Sequence, residues 1–123
     1  MDYKRFRELV TGKEKARVDF KLECHAFKAK AIEPKAELAK DICAMANNGN
    51  VTSYILIGVS DAGTSFKSVD NDKLTDDYLQ AFCKKAIFPP PRVKLLRKSW
   101  PRASSKKHKG KTFVIIQVGP QAR

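Results

Sequence analysis

Two kinds of hydrophobic pattern run through the chain. Ile55, Leu56, Ile57 and Val59 form a nearly unbroken, β-branched run of strand length, and Asp61-Ala62-Gly63 follows with the composition of a turn. This predicts a central strand ending in an acidic turn. Phe113 to Val118, Phe-Val-Ile-Ile-Gln-Val, is a second near-continuous apolar strand. Arg17 to Leu22 instead alternates strictly, with Val18, Phe20 and Leu22 on one face and Arg17, Asp19 and Lys21 on the other, the pattern of a half-buried strand. Residues 92 to 99 alternate in part, placing Val93 and Leu95 inward and Arg92, Lys94 and Lys98 outward. Phe66 to Val69 reads as a short return strand that would close a hairpin with the central strand.

Helical spacing fills the intervals. Phe6, Leu9 and Val10 predict a short amino-terminal helix stopped by Thr11-Gly12. Leu38, Ile42 and Met45 recur at i, i+4 and i+7 behind Pro34, with Glu33 and Glu37 at the positive end and Asn47-Asn48-Gly49-Asn50 as the stop. Ala39, Cys43 and Ala46 widen that stripe into a small, apolar face suited to lying close on a sheet. Leu74, Tyr78, Leu79, Phe82 and Ala86 predict a second long helix, capped by Thr75 or Asp76 and ended by Phe88-Pro89-Pro90-Pro91. Residues 23 to 32 lack a period and read as a loop in which Phe27 either pins the segment to the core or is exposed for base stacking. The expected fold class is α+β: a mixed, mainly antiparallel sheet of about five to six strands with two main helices packed on it.

Length adds that this is one domain, 1–123, with a core over about 14–118 and enough chain to bury a core without disulfides or metal. The stop directly after a strand fits the amino-terminal piece of a longer protein. Three cysteines, Cys24, Cys43 and Cys83, are odd in number and far apart, so they propose neither a disulfide framework nor a zinc ribbon. Cys43 and Cys83 fall on helical patterns as small core residues. The amino terminus lacks the apolar segment of a secretory signal and no run approaches a membrane span, so an intracellular setting, cytoplasmic or nuclear, is expected, with no membrane partner.

Charge changes the picture most. The net charge is +12, and residues 92 to 111 hold nine Lys or Arg and no acid, whereas residues 31 to 91 hold six basic and eight acidic residues. A surface for polyanions needs such asymmetry, because each phosphate neutralised releases condensed counterions. Pro101 to Gly110, carrying Arg102, Lys106, Lys107, His108 and Lys109, reads as a basic hairpin loop with Trp100 at its root, where it packs across the hairpin or stacks on a base. Arg17, Lys21, Arg92, Lys94, Lys98, Arg102, Lys106, Lys107 and Lys109 are the candidate nucleic-acid contacts. The competing reading of any one basic run is a solvated, solubilising loop.

A catalytic alternative rests on carboxylates. Hydrolysis of a phosphodiester by Mg²⁺ or Mn²⁺ needs two or three converging acids with basic residues beside them. Glu14, Asp19 and Asp61 could converge if the strands carrying Asp19 and Asp61 are neighbours; otherwise Asp61 is a turn former, Glu14 a solvated loop residue and Asp19 an ion-pair partner for Lys21. The chain contains no Gly-x-x-x-x-Gly-Lys-Ser/Thr phosphate loop.

Glu14, then Val18-Asp19-Phe20-Lys21, then a helix closing on Ala-Met-Ala-Asn, then Tyr54-Ile-Leu-Ile-Gly-Val and Asp61-Ala-Gly63 together resemble the Schlafen AlbA-like domain from residue 14 to about residue 118. The resemblance implies an α+β, nucleic-acid-associated fold. Some Schlafen members are metal-dependent endoribonucleases acting on tRNA and rRNA through three carboxylates, at positions matching Glu14, Asp19 and Asp61 here. Asp19 stands where the family pattern has Glu, and Asn48 to Ser53 replaces a compact Gly-Gly turn. Three functions therefore compete: a nucleic-acid-binding domain for RNA or DNA, a Mg²⁺- or Mn²⁺-dependent endoribonuclease using Glu14, Asp19 and Asp61 as metal ligands, and an oligomerisation module whose strands pair between copies in a homodimer.

Overall fold

The structure, a computed structural model, describes residues 1–12, 17–28, 32–47 and 50–120. Three helices and one four-stranded sheet follow in the order α1 (Tyr3–Thr11), β1 (Arg17–Lys21), α2 (Ile32–Ala46), β2 (Ser53–Ile57), α3 (Asp76–Ala86), β3 (Val93–Ser99) and β4 (Thr112–Val118). The sheet order is β1-β2-β4-β3. β1 and β2 run parallel, joined through α2, and the β2–β4 and β4–β3 pairs are antiparallel.

Register explains the two hydrophobic patterns. On one face Ile55, Ile57, Leu95, Val114 and Ile116 meet Leu38, Ile42 and Met45 of α2 and Leu79 and Cys83 of α3. On the other, Tyr54, Leu56, Phe113 and Ile115 meet Phe6 and Leu9 of α1. The inner strands β2 and β4 are thus covered on both sides, which is why their sequences carry apolar residues at consecutive positions. The outer strands β1 and β3 are less covered: Val18 and Phe20 pack partly against the α1-side cluster, and Arg17, Lys94 and Arg97 are exposed.

Local chemistry sets the ends of the elements. The Asp2 carboxylate accepts from the Arg5 amide at 2.8 Å, and Gly12 closes α1 in the left-handed conformation. Thr75 caps α3 by accepting from the Tyr78 amide, Asp76 and Asp77 occupy its first turn, and Lys84 and Lys85 its last. Asp76 also accepts from the Leu95 amide at 2.9 Å, while Gln80 donates to the Val93 carbonyl at 2.6 Å. These side chains occupy backbone groups on the outer edge of β3 that could otherwise pair with another strand. Arg97 donates one amino group to the carbonyls of Asn71 (2.7 Å) and Leu74 (2.9 Å), fastening segment 69–74 to β3.

Several expectations need correction. The sheet has four strands, not five to six, and α1 joins the two main helices as a third layer. Phe66 to Val69 makes only an isolated bridge, Val59 to Phe66. The segment then turns toward β4: the Val69 amide donates to the Thr112 carbonyl and the Ser68 hydroxyl accepts from the Thr112 amide, so no ladder with β2 continues. Cys43 is exposed because it sits one position off the buried stripe of Leu38, Ile42, Met45 and Ala46. Tyr78 is largely exposed on α3, and Leu22, one residue past β1, also faces solvent. Cys83 is buried as expected. The Gly49 cap lies outside the described residues.

Candidate nucleic-acid interface

The basic connection between β3 and β4 does not project as a free hairpin. It folds back onto α1. The His108 ring is only 6% exposed; its Nδ1 lies 2.8 Å from the Tyr3 hydroxyl, and the rings of Phe6, Phe66 and Phe113 surround it. Burial pulls its pKa below the ordinary histidine value, and the positive charges of Lys111, Arg7 and Lys107 push the same way. Trp100 packs on Phe6 of α1 and on Phe113 across the hairpin, with centroids 4.9 and 6.3 Å apart. The Arg7 guanidinium donates to the Ser104 hydroxyl at 3.2 Å. This buried imidazole was not legible as such: its neighbours in sequence are Lys106, Lys107 and Lys109, which suggested a solvated loop.

The docking of loop on helix gathers charge. β3 register puts Lys94 and Lys98 on the α1 side, opposite Gln117 and Phe113. Arg102, Lys106, Lys107, Lys109 and Lys111 come from the loop, and Lys4, Arg5 and Arg7 from α1; the acids among these elements are Asp2, spent as a helix cap, and Glu8. Arg92 and Lys94 line a groove with Gln117 and Thr52 at one end of the sheet. The contrast with the opposite face is large. There α2 and α3 carry Lys35, Lys40, Lys84 and Lys85 against Glu33, Glu37, Asp41, Asp76 and Asp77. Among the described residues the ion pairs are Lys21 with Asp41, His25 with Glu23 and Lys67 with Glu23, none of which uses Lys94, Lys98, Arg102, Lys106, Lys107 or Lys109. Lys4, Arg7 and Lys111 are additions that sequence reasoning missed, since only the tertiary fold brings α1 beside the loop.

Arg17 and Lys21 stand elsewhere. Opposite Ser53 and Ile57, they point to the α2 side of the sheet, where Lys21 pairs with Asp41 at 2.8 Å. Burial lowers the Lys21 pKa, but the hydrogen bond and charge of Asp41 outweigh it and hold the ammonium above its ordinary value.

Of the three candidate metal ligands, Glu14 lies outside the described residues. Asp19 is half-buried in β1 opposite Ile55, and Asp61 is exposed in the turn after β2. β1 and β2 are adjacent, so the neighbour relation required for Asp19 and Asp61 to approach is met. Carboxylate oxygens of this kind suit Mg²⁺ or Mn²⁺ chemically; among the described residues, no three His, Cys, Asp or Glu side chains are grouped to hold an ion. Cys24 and His25 line a small cleft with Glu23 and Lys67, but burial raises the Cys24 thiol pKa, which disfavours the nucleophilic thiolate.

A four-stranded sheet covered on both sides, with α1 and the basic 100–111 loop packed together on one face, defines an α+β domain. The family model for Schlafen, AlbA_2 matches residues 14–123, and the chain belongs to that family. No curated protein matches it. No helix among the described residues is long and apolar enough to cross a membrane.

Proposed function

We propose that this domain binds nucleic acid through the face formed by α1, the outer side of β3 and the 100–111 loop. Arg92, Lys94, Lys98, Arg102, Lys106, Lys107 and Lys109 supply the phosphate contacts, joined by Lys4 and Arg7. The observation that carries the reading is the gathering of charge on one side of the sheet: cations far apart in sequence, from β3, the 100–111 loop and α1, meet there and outnumber the acids Asp2 and Glu8 of the same elements. Arg17 and Lys21 belong to the opposite side and form a separate edge.

Nine phosphate contacts to a single strand predict a slope of log K against log salt of about −6, so binding weakens by roughly five orders of magnitude between about 50 and 300 mM NaCl. Replacing Lys94, Lys98, Lys106 and Lys107 together by Gln should flatten the slope by about 3. The matched set on the other face, Lys35, Lys40, Lys84 and Lys85 to Gln, should leave the slope unchanged. Equal effects of the two sets, measured by anisotropy with labelled RNA and DNA, would remove the face-specific reading.

A second reading, a Mg²⁺- or Mn²⁺-dependent endoribonuclease, is favoured by the adjacency of the strands leading to Asp19 and Asp61. With Glu14 they would supply the oxygen donors; the ion would stabilise charge on the phosphate and activate water, and Arg17, on the same side of β1 as Asp19, would hold the strand beside it. Structured RNA incubated with Mn²⁺ should then be cut by the native protein and spared by Asp61→Ala. Cleavage that is absent, or insensitive to that substitution, removes this reading and leaves the binding proposal standing.

A further inference from the structure

The basic face contains one patch that is not basic. Tyr3, Trp100, Pro101, Arg102 and Ala103 line an open depression of about 340 Å³ in which aromatic and aliphatic surface faces outward. Such surface is costly to leave in water. Its neighbours are Arg102 in the wall and the Arg7 guanidinium, 5.4 Å from the centroid of the Tyr3 ring.

We infer that this depression seats an unpaired nucleobase, with the flanking phosphates held by Arg102, Arg7 and the loop lysines. The inference rests on the binding reading above and deepens it, assigning single-stranded or looped nucleic acid as the ligand. Two aromatic rings, Tyr3 and Trp100, with centroids 5.6 Å apart and tilted 52° to each other, inside a cationic rim offer a ring face to a ligand with a π face and an anionic backbone, and base–aromatic stacking tolerates any sequence because every base has such a face. Duplex bases are already stacked on one another and unavailable.

The floor is preorganised. Trp100 rests on Phe6 and Phe113, with centroids at 4.9 and 6.3 Å. Tyr3 is oriented by its hydroxyl contact to the buried His108. The Trp100 carbonyl accepts from the Ala103 amide at 3.1 Å and the Gly110 amide at 3.4 Å, fixing the turn that forms the wall. Little conformational freedom remains to be lost when a base lands.

Trp100 is the only tryptophan in the chain, so its fluorescence reports on the site directly. Titration with a single-stranded oligothymidylate or oligouridylate should quench it, and affinity should exceed that for an abasic strand of equal length by about tenfold. Duplex and poly-glutamate should leave the emission largely unchanged. The Trp100→Leu variant, read by anisotropy with its fold checked by circular dichroism, should lose the preference for base-bearing over abasic strand while still binding both. If that variant does not fold, the native titration decides alone. Equal affinity and equal quenching for abasic and base-bearing strands would overturn the stacking inference while leaving phosphate binding intact. Equal quenching by poly-glutamate would assign the depression to an acidic peptide instead. Failure of every strand to bind would defeat the basic-face reading and this inference together.

Discussion

Gly58 is the position where a single methyl group should do most damage. It follows β2, and its backbone has φ of +105°, a region L side chains rarely adopt. A Cβ built there would stand 2.6 Å from the Lys67 carbonyl oxygen and 2.9 Å from Cδ1 of Phe113, a ring with no solvent exposure. Neither neighbour gives way readily, because the Lys67 amide is bonded to the Gly58 carbonyl at 2.9 Å and Phe113 is locked between Phe6 and Trp100. Conformational strain of about 1–3 kcal/mol and overpacking of about 1–3 kcal/mol give Gly58→Ala a cost of about 2–6 kcal/mol, against a typical total stability of about 5–15 kcal/mol. At roughly 4 °C per kcal/mol for a domain of this size, the melting temperature should fall by about 8–24 °C. Urea and thermal unfolding followed by circular dichroism measure it. Gly110→Ala is the control: its φ is also positive, +73°, but a Cβ there meets nothing within 4 Å. Only the conformational part, about 1–2 kcal/mol, should appear. If Gly58→Ala costs no more than Gly110→Ala, the close approach of Lys67 and Phe113 is not what holds this crossing.

His108 should make stability depend on pH in a defined direction. Its folded pKa is depressed, by burial first and then by Lys111, Arg7 and Lys107, so its contribution is complete above about 6.5 and is lost progressively as pH falls below that value, where the unfolded chain takes up a proton the folded state resists. His108→Gln should show a smaller loss of urea midpoint between pH 7.5 and 5.5 than the native protein, and an equal loss in both would contradict the assignment. Arg97→Leu, which leaves the Asn71 and Leu74 carbonyls without their charged donor, should cost about 2–3 kcal/mol and speed hydrogen exchange across residues 69–74, with Arg97→Lys recovering only part because an ammonium lacks the guanidinium fork. Unchanged exchange in that segment would show that it is held by other contacts.

Most of the scaffold could be read along the chain. The unbroken runs of β2 and β4, the alternation of β1 and β3, and the 3.6-residue stripes of α2 and α3 all report locally on which side of an element is covered. Family membership was legible in the same way, through an ordered set of short motifs. The site was legible in composition but not in arrangement. The contact that lays the loop on the amino-terminal helix joins Tyr3 to His108, 105 positions apart, and no local period records it. For the same reason the lysines of β1 and β3 looked equivalent in sequence. Only the register shows Lys21 facing α2 and its partner Asp41, with Lys94 and Lys98 on the other side. The return strand at Phe66 failed because two apolar residues do not specify a ladder, and Thr112 offered its backbone groups a competing partner.

The division of charge by the sheet gives the molecule a permanent electric moment directed across its layers. On the binding reading proposed above, the field of a long anion would rotate such a body during its approach, so that encounters begin with α1 and the loop turned inward rather than at random. The gain is in the rate of association, and it fades as added salt shortens the range of the field. On the same reading the layer of α2 and α3 would arrive last and stay turned to the solvent, so a protein seated on a strand would present that near-neutral side to whatever it meets next.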